Sequence, residues 1–169
     1  MWDPRDAPER IQALGAWWDA LARAGPPGGG PPERAAVDIA QLKPLLPYLM
    51  LMEFRTDPFV VRYRLTGTKI DEWVGTNVTG RTLNEFLATD KTGASAYLMS
   101  CYEYCWRTGE PVVGAYDWPS VSGNPLRIWF GMYPLKLDGA IRQCLVIEDF
   151  ESLPEDAEPL PWLAARGGR

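Results

Sequence analysis

The side chains of this chain that could react are cysteines, serines and carboxylates. The sequence has no histidine, which removes the usual general base, the commonest zinc ligand and the usual proximal haem ligand. Cys101 and Cys105 lie four residues apart on a predicted helix and would share one face. With Cys144 they offer a redox pair or a metal clip. Because no histidine or basic cluster completes such a site, small buried side chains are the favoured interpretation, and we predict no metal ligands.

The carboxylates are concentrated where the last predicted strand ends. Glu148, Asp149 and Glu151 form an acidic run there, and Glu155 and Asp156 extend it. A paired acid and base need opposite environments, which neighbours in one strand do not supply. The run is therefore predicted to be a solvated edge. The serines lack a nucleophile-elbow context and a histidine partner, so acyl transfer is not expected. We predict no catalytic residue and no enzyme activity.

Aromatic side chains are more informative, because the chain is 12% aromatic and has eight tryptophans. An aromatic-lined pocket with a few polar tips is the usual form of a small-molecule site. The same residues can instead fill a core, and for any single one of them this is the more frequent role. The residues that we assign to a ligand site are Tyr63, Trp73, Tyr97, Tyr102, Trp118 and Trp129.

Length and charge limit the remaining possibilities. The 169 residues, of 18.9 kDa, suit one domain with an appendage, and the net charge of −5 leaves no basic excess for binding nucleic acid. Three cysteines without a CxxC pair indicate no disulfide framework and a reducing compartment. The N-terminus lacks the basic start and apolar run of a signal peptide, and no apolar stretch could span a bilayer. We expect a cytoplasmic protein without membrane contact.

The first predicted element is a helix over residues 8–24, followed by a linker rich in proline and glycine. Its apolar stripe packs either on its own domain or on a second copy, and the adjacent tryptophans are a large apolar area for a short terminal helix. We predict a homodimer through this helix. Its interface residues would be Ile11, Leu14, Trp17, Trp18 and Leu21. The predicted domains are 1–34 (helix and linker), 35–151 (globular domain) and 152–169 (a loosely ordered, acidic, proline-rich tail).

Residues 35–151 read as two strands, several short helices, one longer helix and three more strands. The strands are predicted over 49–54, 59–65, 111–118, 126–137 and 141–150, and the longer helix over about 91–108 with Asp90 as its N-cap. This order indicates an α+β fold with a five-stranded antiparallel sheet and helices on one face. Since the closing strands are apolar on both sides, the N-terminal helix or a partner subunit should cover the other face.

The most specific motif runs through Tyr63-Arg64-Leu65-Thr66-Gly67-Thr68 and continues to Gly75 and then Thr79-Gly80-Arg81. Arg64 lies on a strand with apolar flanks and should meet a carboxylate or backbone carbonyls. The two glycines should occupy positions that a side chain would obstruct, and Thr68 could cap the next helix. These roles are mainly structural.

This motif, together with Trp18 and Leu21, Pro32, Arg34 and Asp38, Leu42, and Leu46-Pro47, resembles the bacterial single-domain PAS-like family of unknown function, within the PAS superfamily. The resemblance covers about residues 11–150. It implies a PAS fold in which a ligand binds between the helices and the sheet. Light-sensing relatives carry an asparagine–cysteine flavin motif that this sequence lacks, so no flavin is predicted and the cofactor is left unknown.

Three hypotheses follow. The leading one is a non-catalytic sensory or protein-interaction module of PAS type. It would bind a small apolar or aromatic ligand and signal through a partner protein or its own dimer. The second is a small enzyme on a cone-shaped α+β fold that uses Asp or Glu with Tyr, although such folds place most helices before the sheet. The third is a structural dimerisation unit with Trp17 and Trp18 at the interface.

Overall fold

A computed structural model describes residues 3–120 and 123–149. The predicted tail, 152–169, lies outside the described residues. The helices are α1 Glu9–Ala24, α2 Thr68–Val74, α3 Asn84–Leu87 and α4 Ala94–Thr108. The strands are β1 Leu49–Arg55, β2 Val60–Thr66, β3 Val112–Trp118, β4 Leu126–Leu137 and β5 Ala140–Asp149. Short 3₁₀ turns occupy Pro4–Asp6, Arg34–Ala36, Ile39–Leu42 and Leu46–Tyr48.

The five strands form one antiparallel sheet in the order β2-β1-β5-β4-β3. This confirms the predicted α+β fold with a five-stranded antiparallel sheet. Strand β5 lies at its centre, which explains its run of buried residues on both faces. In the register of β3 with β4, Trp118 lies opposite Leu126 and Ala115 lies opposite Trp129. The two tryptophans therefore lie on opposite faces of the sheet.

Each face of the sheet has its own core. The inner face packs against α2, α3 and α4, and its fully buried members include Met52, Phe130, Met132 and Val146. The outer face packs against α1 and the 3₁₀ turns before β1. Both faces are thus covered within one chain, as the apolar character of the closing strands predicts.

Helix α1 packs on the outer face of its own sheet, which corrects the prediction for three of the five interface residues. Ile11, Leu14 and Trp18 are all buried there. The indole Nε1 of Trp18 donates to the carbonyl oxygen of Pro134 at 2.9 Å, and the hydroxyl of Tyr133 donates to the carbonyl oxygen of Ile11 at 3.0 Å. Three of the five predicted interface residues are therefore buried in contacts with the sheet of their own chain.

Trp17 and Leu21 lie at the edge of this contact and are half-buried. The indole Nε1 of Trp17 donates to Oε1 of Gln41 at 2.9 Å. A homodimer through α1 could use these two side chains without moving the helix. Such a dimer stays a prediction.

The glycine-containing motif is structural, with one correction. A Cβ on Gly67 would lie 2.4 Å from the carbonyl oxygens of both Leu46 and Pro47, so only glycine fits there. Gly75 ends α2 in the left-handed region, at φ 80°. Arg64 lies 3.9 Å from Glu53 (Nε to Oε2), as expected. The proposed cap at Thr68 is wrong, because α2 begins at Thr68 itself and its N-cap is Gly67.

Asp90 anchors the start of α4 from a distance. The helix begins at Ala94, three residues later than predicted, and its N-cap position is Gly93. Oδ2 of Asp90 nevertheless accepts a hydrogen bond from the backbone N–H of Ser95 at 2.6 Å. Among the described helices, none is long and apolar enough to cross a membrane.

Candidate ligand-binding site

A small cavity of about 60 Å³ lies between the inner face of the sheet and helices α2 and α4. Its wall combines aliphatic side chains, aromatic rings, hydroxyl groups and one carboxyl group. Helix α4 contributes a stripe at helical spacing, Ala94, Leu98 and Tyr102, with Ser95 beside it. The other lining residues are Met50, Tyr63, Ile70, Trp73, Val74, Leu83, Tyr116, Trp118 and Glu148.

Four of the six predicted ligand-site residues line this cavity, and the rings of two of them are in contact. Trp73 on α2 and Trp118 at the end of β3 meet edge to face, with ring centroids 6.2 Å apart. Tyr63 on β2 and Tyr102 on α4 complete the group.

The other two predicted residues lie elsewhere. Tyr97 precedes Leu98 on α4 and is rotated by about 100° from the lining stripe. It is 39% exposed, and its ring packs against Phe130 outside the cavity. Trp129 lies on the outer face of β4, because its neighbours Ile128 and Phe130 point inward. A period of two fixes which strand residues share a face but not which face is inner.

Glu148 is the main residue that the sequence misplaced. It was predicted to lie on a solvated edge, yet only 7% of it is exposed. Glu148 lies two and four residues after Val146 and Cys144 on β5, so it shares their inner face. Asp149 points to the outer face, where its Oδ2 lies 3.6 Å from Nη1 of Arg10. That alternation was the signal that could have separated Glu148 from the acidic run.

The environment of Glu148 favours its neutral form. Burial raises the pKa of its carboxyl group from the ordinary 4.5 to about 7, against a smaller lowering by the Tyr116 hydroxyl. That hydroxyl donates to Oε1 of Glu148 at 3.2 Å. A carboxyl group in such a place exchanges its proton near neutral pH.

The three tyrosine hydroxyls in the cavity stay protonated at neutral pH. Burial raises the pKa of Tyr63, Tyr102 and Tyr116 above its ordinary value, and the nearby Glu148 adds to the effect. Each hydroxyl can therefore donate one hydrogen bond and accept others. The cavity combines these donors with aromatic faces and one carboxyl group.

Two charged side chains, Asp90 and Arg81, lie just outside the cavity wall. Partial burial acts to raise the pKa of Asp90, but hydrogen bonds from Thr92 and Ser95 hold it below its ordinary value. Arg81 is paired with Glu85, 3.1 Å away (Nη2 to Oε2), and its guanidinium lies over the ring of Phe86. Within 3–120 and 123–149, the cavity lining contains one ionisable carboxyl group and no cationic side chain.

The cysteines are buried, as the favoured interpretation expected. Cys101, Cys105 and Cys144 all carry free thiols in the inner core. Burial raises the pKa of both Cys101 and Cys144, which keeps these thiols protonated and weakly reactive. The part of the chain that the structure describes holds no group of three or more His, Cys, Asp or Glu side chains suited to a metal ion.

A second, larger depression of about 230 Å³ lies on the outer face beside β1 and β2. It is almost entirely aliphatic and includes two well-exposed side chains, Ile39 and Leu65. It has no buried polar group on its wall apart from backbone. Its character is that of a contact surface rather than of a chemically specific site.

Comparison with known proteins agrees with this architecture. Residues 7–139 match the family model of a PAS domain, PAS_5. The chain therefore belongs to this PAS-domain family. No curated protein sequence is similar enough to the chain to count as a relative.

Solved structures resemble the chain in fold. VqmA bound to DPO is 20% identical, with a TM-score of 0.50 over 70% of this chain and 57% of that one. A light-oxygen-voltage domain studied with a flavin analogue is 14% identical, with a TM-score of 0.48 over 66% of this chain and 82% of that one. The Rhodobacter sphaeroides light-oxygen-voltage protein is 13% identical, with a TM-score of 0.45 over 71% and 73%. The VqmA chain is thus much longer than the part that this chain matches.

Proposed function

We propose that this chain is a non-catalytic PAS-type sensory module that binds a small molecule in the cavity between its helices and its sheet. The observation that carries the proposal is Glu148, a buried carboxyl group beside Tyr116 in an aromatic-lined cavity. Burying an ionisable group costs free energy, which a packed core would avoid by using an apolar side chain. A ligand-recognition role accounts for its presence.

The size of the cavity limits the ligand. About 60 Å³ holds roughly two water molecules, whereas sites for drug-sized ligands occupy about 300–1,000 Å³. A ligand of a few heavy atoms fits the closed form. A larger one requires α2, α3 or α4 to move outward, and α2 and α3 are only seven and four residues long.

The similarity in fold to VqmA, whose structure was solved bound to DPO, supports a ligand-binding role for this chain. The signal would leave this chain through a partner protein or a second copy. Two apolar surfaces open to such contacts are the outer-face depression beside Leu65 and the edge of α1 at Trp17 and Leu21. A cytoplasmic location and the absence of nucleic-acid binding stay predictions from the sequence.

The test is native mass spectrometry of freshly purified protein, followed by denaturation to release and identify any bound molecule. A matched pair of variants locates the site. Ala94→Leu fills the cavity from α4, while Trp129→Phe changes a large ring on the opposite face of the sheet. We expect Ala94→Leu to lose the bound mass and Trp129→Phe to keep it. Leu98→Phe is a second filling variant if Ala94→Leu folds poorly. Retention of the ligand by both filling variants would contradict the proposal.

A second candidate function is enzymatic. The cone-shaped fold of the second hypothesis is wrong, because two strands precede the long helix and residues 7–139 match a PAS domain. The residue types it required are nevertheless present, since a carboxyl group that titrates near neutrality beside a tyrosine is suited to general acid–base chemistry. Turnover of a released ligand that is lost in Glu148→Gln would favour this candidate.

A further inference from the structure

We propose that the cavity selects a small organic cation carrying N–H donors, an amidine or a primary amine, whose charged end pairs with Glu148 while its remainder lies against the aromatic rings. This inference rests on the proposed function and specifies its ligand. It is drawn from the charge and the surfaces that line the cavity.

The first step is the charge of the wall. Glu148 is the ionisable carboxyl group of the described lining. The hydroxyl of Tyr116 donates a hydrogen bond to one of its oxygens, Oε1. Arg81 is outside the lining, where it pairs with Glu85 and lies over the ring of Phe86, and its charge acts on the pKa of Tyr63 only as a smaller effect than burial and Glu148. A carboxylate buried without a cation is costly, and a cationic ligand supplies the missing charge.

The second step is the aromatic surface. Trp73, Trp118 and the tyrosine rings of Tyr63, Tyr102 and Tyr116 border the same space. The negative face of an aromatic ring attracts a cation, most strongly where water is excluded. An anionic ligand would meet both the carboxyl group and these rings unfavourably, whereas a cation is attracted by both.

The third step is the field from outside the wall. Asp90 stays ionised close to the start of α4 and acts on the Tyr116 hydroxyl together with Glu148. It adds negative potential to the side of the cavity where Glu148 lies. Both carboxyl groups therefore favour a positive ligand.

The experiment uses three ligands of the same size and different charge: acetamidinium, acetamide and acetate. Each has four heavy atoms, which suits the closed cavity. Benzamidine, benzamide and benzoate repeat the series for an opened one. Binding to the ¹⁵N-labelled chain of 169 residues is followed by chemical-shift changes of the lining residues at pH 8. We expect the amidine to bind at least about tenfold more tightly than the neutral amide, and the carboxylate not to bind.

Glu148→Gln is the matched variant, because it keeps the shape and a hydrogen-bond acceptor but removes the charge. We expect it to bind the amidine and the amide about equally. Glu72→Gln on the exposed side of α2 is the control and should keep the preference. Equal binding of amidine and amide by the wild-type protein, an unchanged preference in Glu148→Gln, or no binding by either series would each overturn the inference.

The pH dependence tests the same point without a variant. Amidines stay protonated over pH 5–8, so the proton lost on binding comes from Glu148. The affinity for the amidine should be constant above pH 8 and fall by about tenfold per pH unit below 7. The neighbouring groups that titrate are held away from this range by raised tyrosine and thiol pKa values and by a lowered carboxyl pKa. They are Tyr63, Tyr102, Tyr116, Cys144 and Asp90. The one charged base beside them, among the residues that the structure describes, is Arg81, which is paired with Glu85. A flat profile from pH 5 to 8 would contradict the role of Glu148.

Failure of this inference can be told apart from failure of the proposed function. If acetamide, benzamide or a neutral co-purified molecule binds in the cavity of both wild type and Glu148→Gln, the ligand site stands and only its cation selectivity falls. If the filling variants Ala94→Leu and Leu98→Phe leave all binding unchanged, the ligand site itself is wrong.

Discussion

Tyr116 and Glu148 are joined by a hydrogen bond although a whole strand lies between the strands that carry them. Tyr116 is on β3, Glu148 is on β5, and β4 pairs with both. The hydroxyl reaches Oε1 across the inner face of β4 at 3.2 Å. The long tyrosine side chain thus brings a donor from near the edge of the sheet to a carboxyl group at its centre.

The raised pKa of Glu148 predicts how stability varies with pH. Between pH 4.5 and about 7 the folded state holds a proton on Glu148 that the unfolded state releases. The free energy of unfolding therefore falls as pH rises through this window, by about 3 kcal/mol in all. In Glu148→Gln this decline should be absent, so the variant should gain stability relative to wild type as pH rises. Urea denaturation at pH 4.5, 6 and 8 measures the difference.

The control for this experiment is Glu72→Gln, whose carboxyl group is exposed and paired with Lys69. Its stability curve should run parallel to that of the wild type. A Glu148→Gln curve that is also parallel would mean that the carboxyl group titrates normally.

Removal of the Tyr116 hydroxyl should raise the pKa of Glu148 still further. That hydrogen bond favours the charged carboxylate, and burial, which opposes it, remains in Tyr116→Phe. The titration of the Glu148 carboxyl carbon, followed by ¹³C NMR, gives the direction. Tyr104→Phe removes the hydroxyl of an exposed tyrosine on α4 and should leave that titration unchanged. A lower pKa in Tyr116→Phe would show that the hydroxyl is not a donor to Glu148.

Gly67→Ala should destabilise the fold strongly. Its Cβ would meet two backbone carbonyl oxygens at 2.4 Å, and backbone atoms cannot give way as a flexible side chain can. We expect a loss of at least roughly 2 kcal/mol in the free energy of unfolding. The adjacent Thr68→Ala should change it by less than about 0.5 kcal/mol, because Thr68 is exposed and does not cap α2. Chemical denaturation of both variants decides whether the motif acts through its glycine.

The two neighbouring tryptophans of α1 should differ in their effect. Trp18→Ala removes a buried ring and its hydrogen bond to Pro134, at a cost of about 3–5 kcal/mol. Trp17→Ala should cost much less, since Trp17 is half-buried at the helix edge. Thermal unfolding measures stability, and light scattering measures mass in the same samples. A halved mass in Trp17→Ala with stability preserved would identify Trp17 as part of a dimer interface.

Much of the fold could be predicted, because its strands alternate or run continuously apolar and its turns carry glycine and proline. The orientation of side chains was harder. Trp129 and Glu148 both lie in correctly predicted strands, but the face each occupies depends on the sheet order and register, which are set by contacts distant in sequence. Tyr97, which the sequence analysis assigned to the ligand site, lies outside the cavity for a related reason, since one residue along a helix changes the direction of the side chain by about 100°.

The acidic run shows the same limit most clearly. Glu148 and Asp149 look alike in sequence and have opposite environments, one buried on the inner face and the other paired with Arg10 on the outer face. Strand propensity does not distinguish the environments of these two carboxyl groups. The environments differ only because α1 and α4 cover opposite faces of the sheet.

Strand β5 therefore separates the inner core from the outer core by the thickness of one strand. Glu148 faces the cavity and Asp149 faces the first turns of α1, so the two compartments of the domain meet at a single peptide unit. A ligand that displaces β5 at Glu148 would also displace Asp149 and its ion pair with Arg10 on the other face. A change at the cavity would thus reach helix α1 across the thickness of a single sheet.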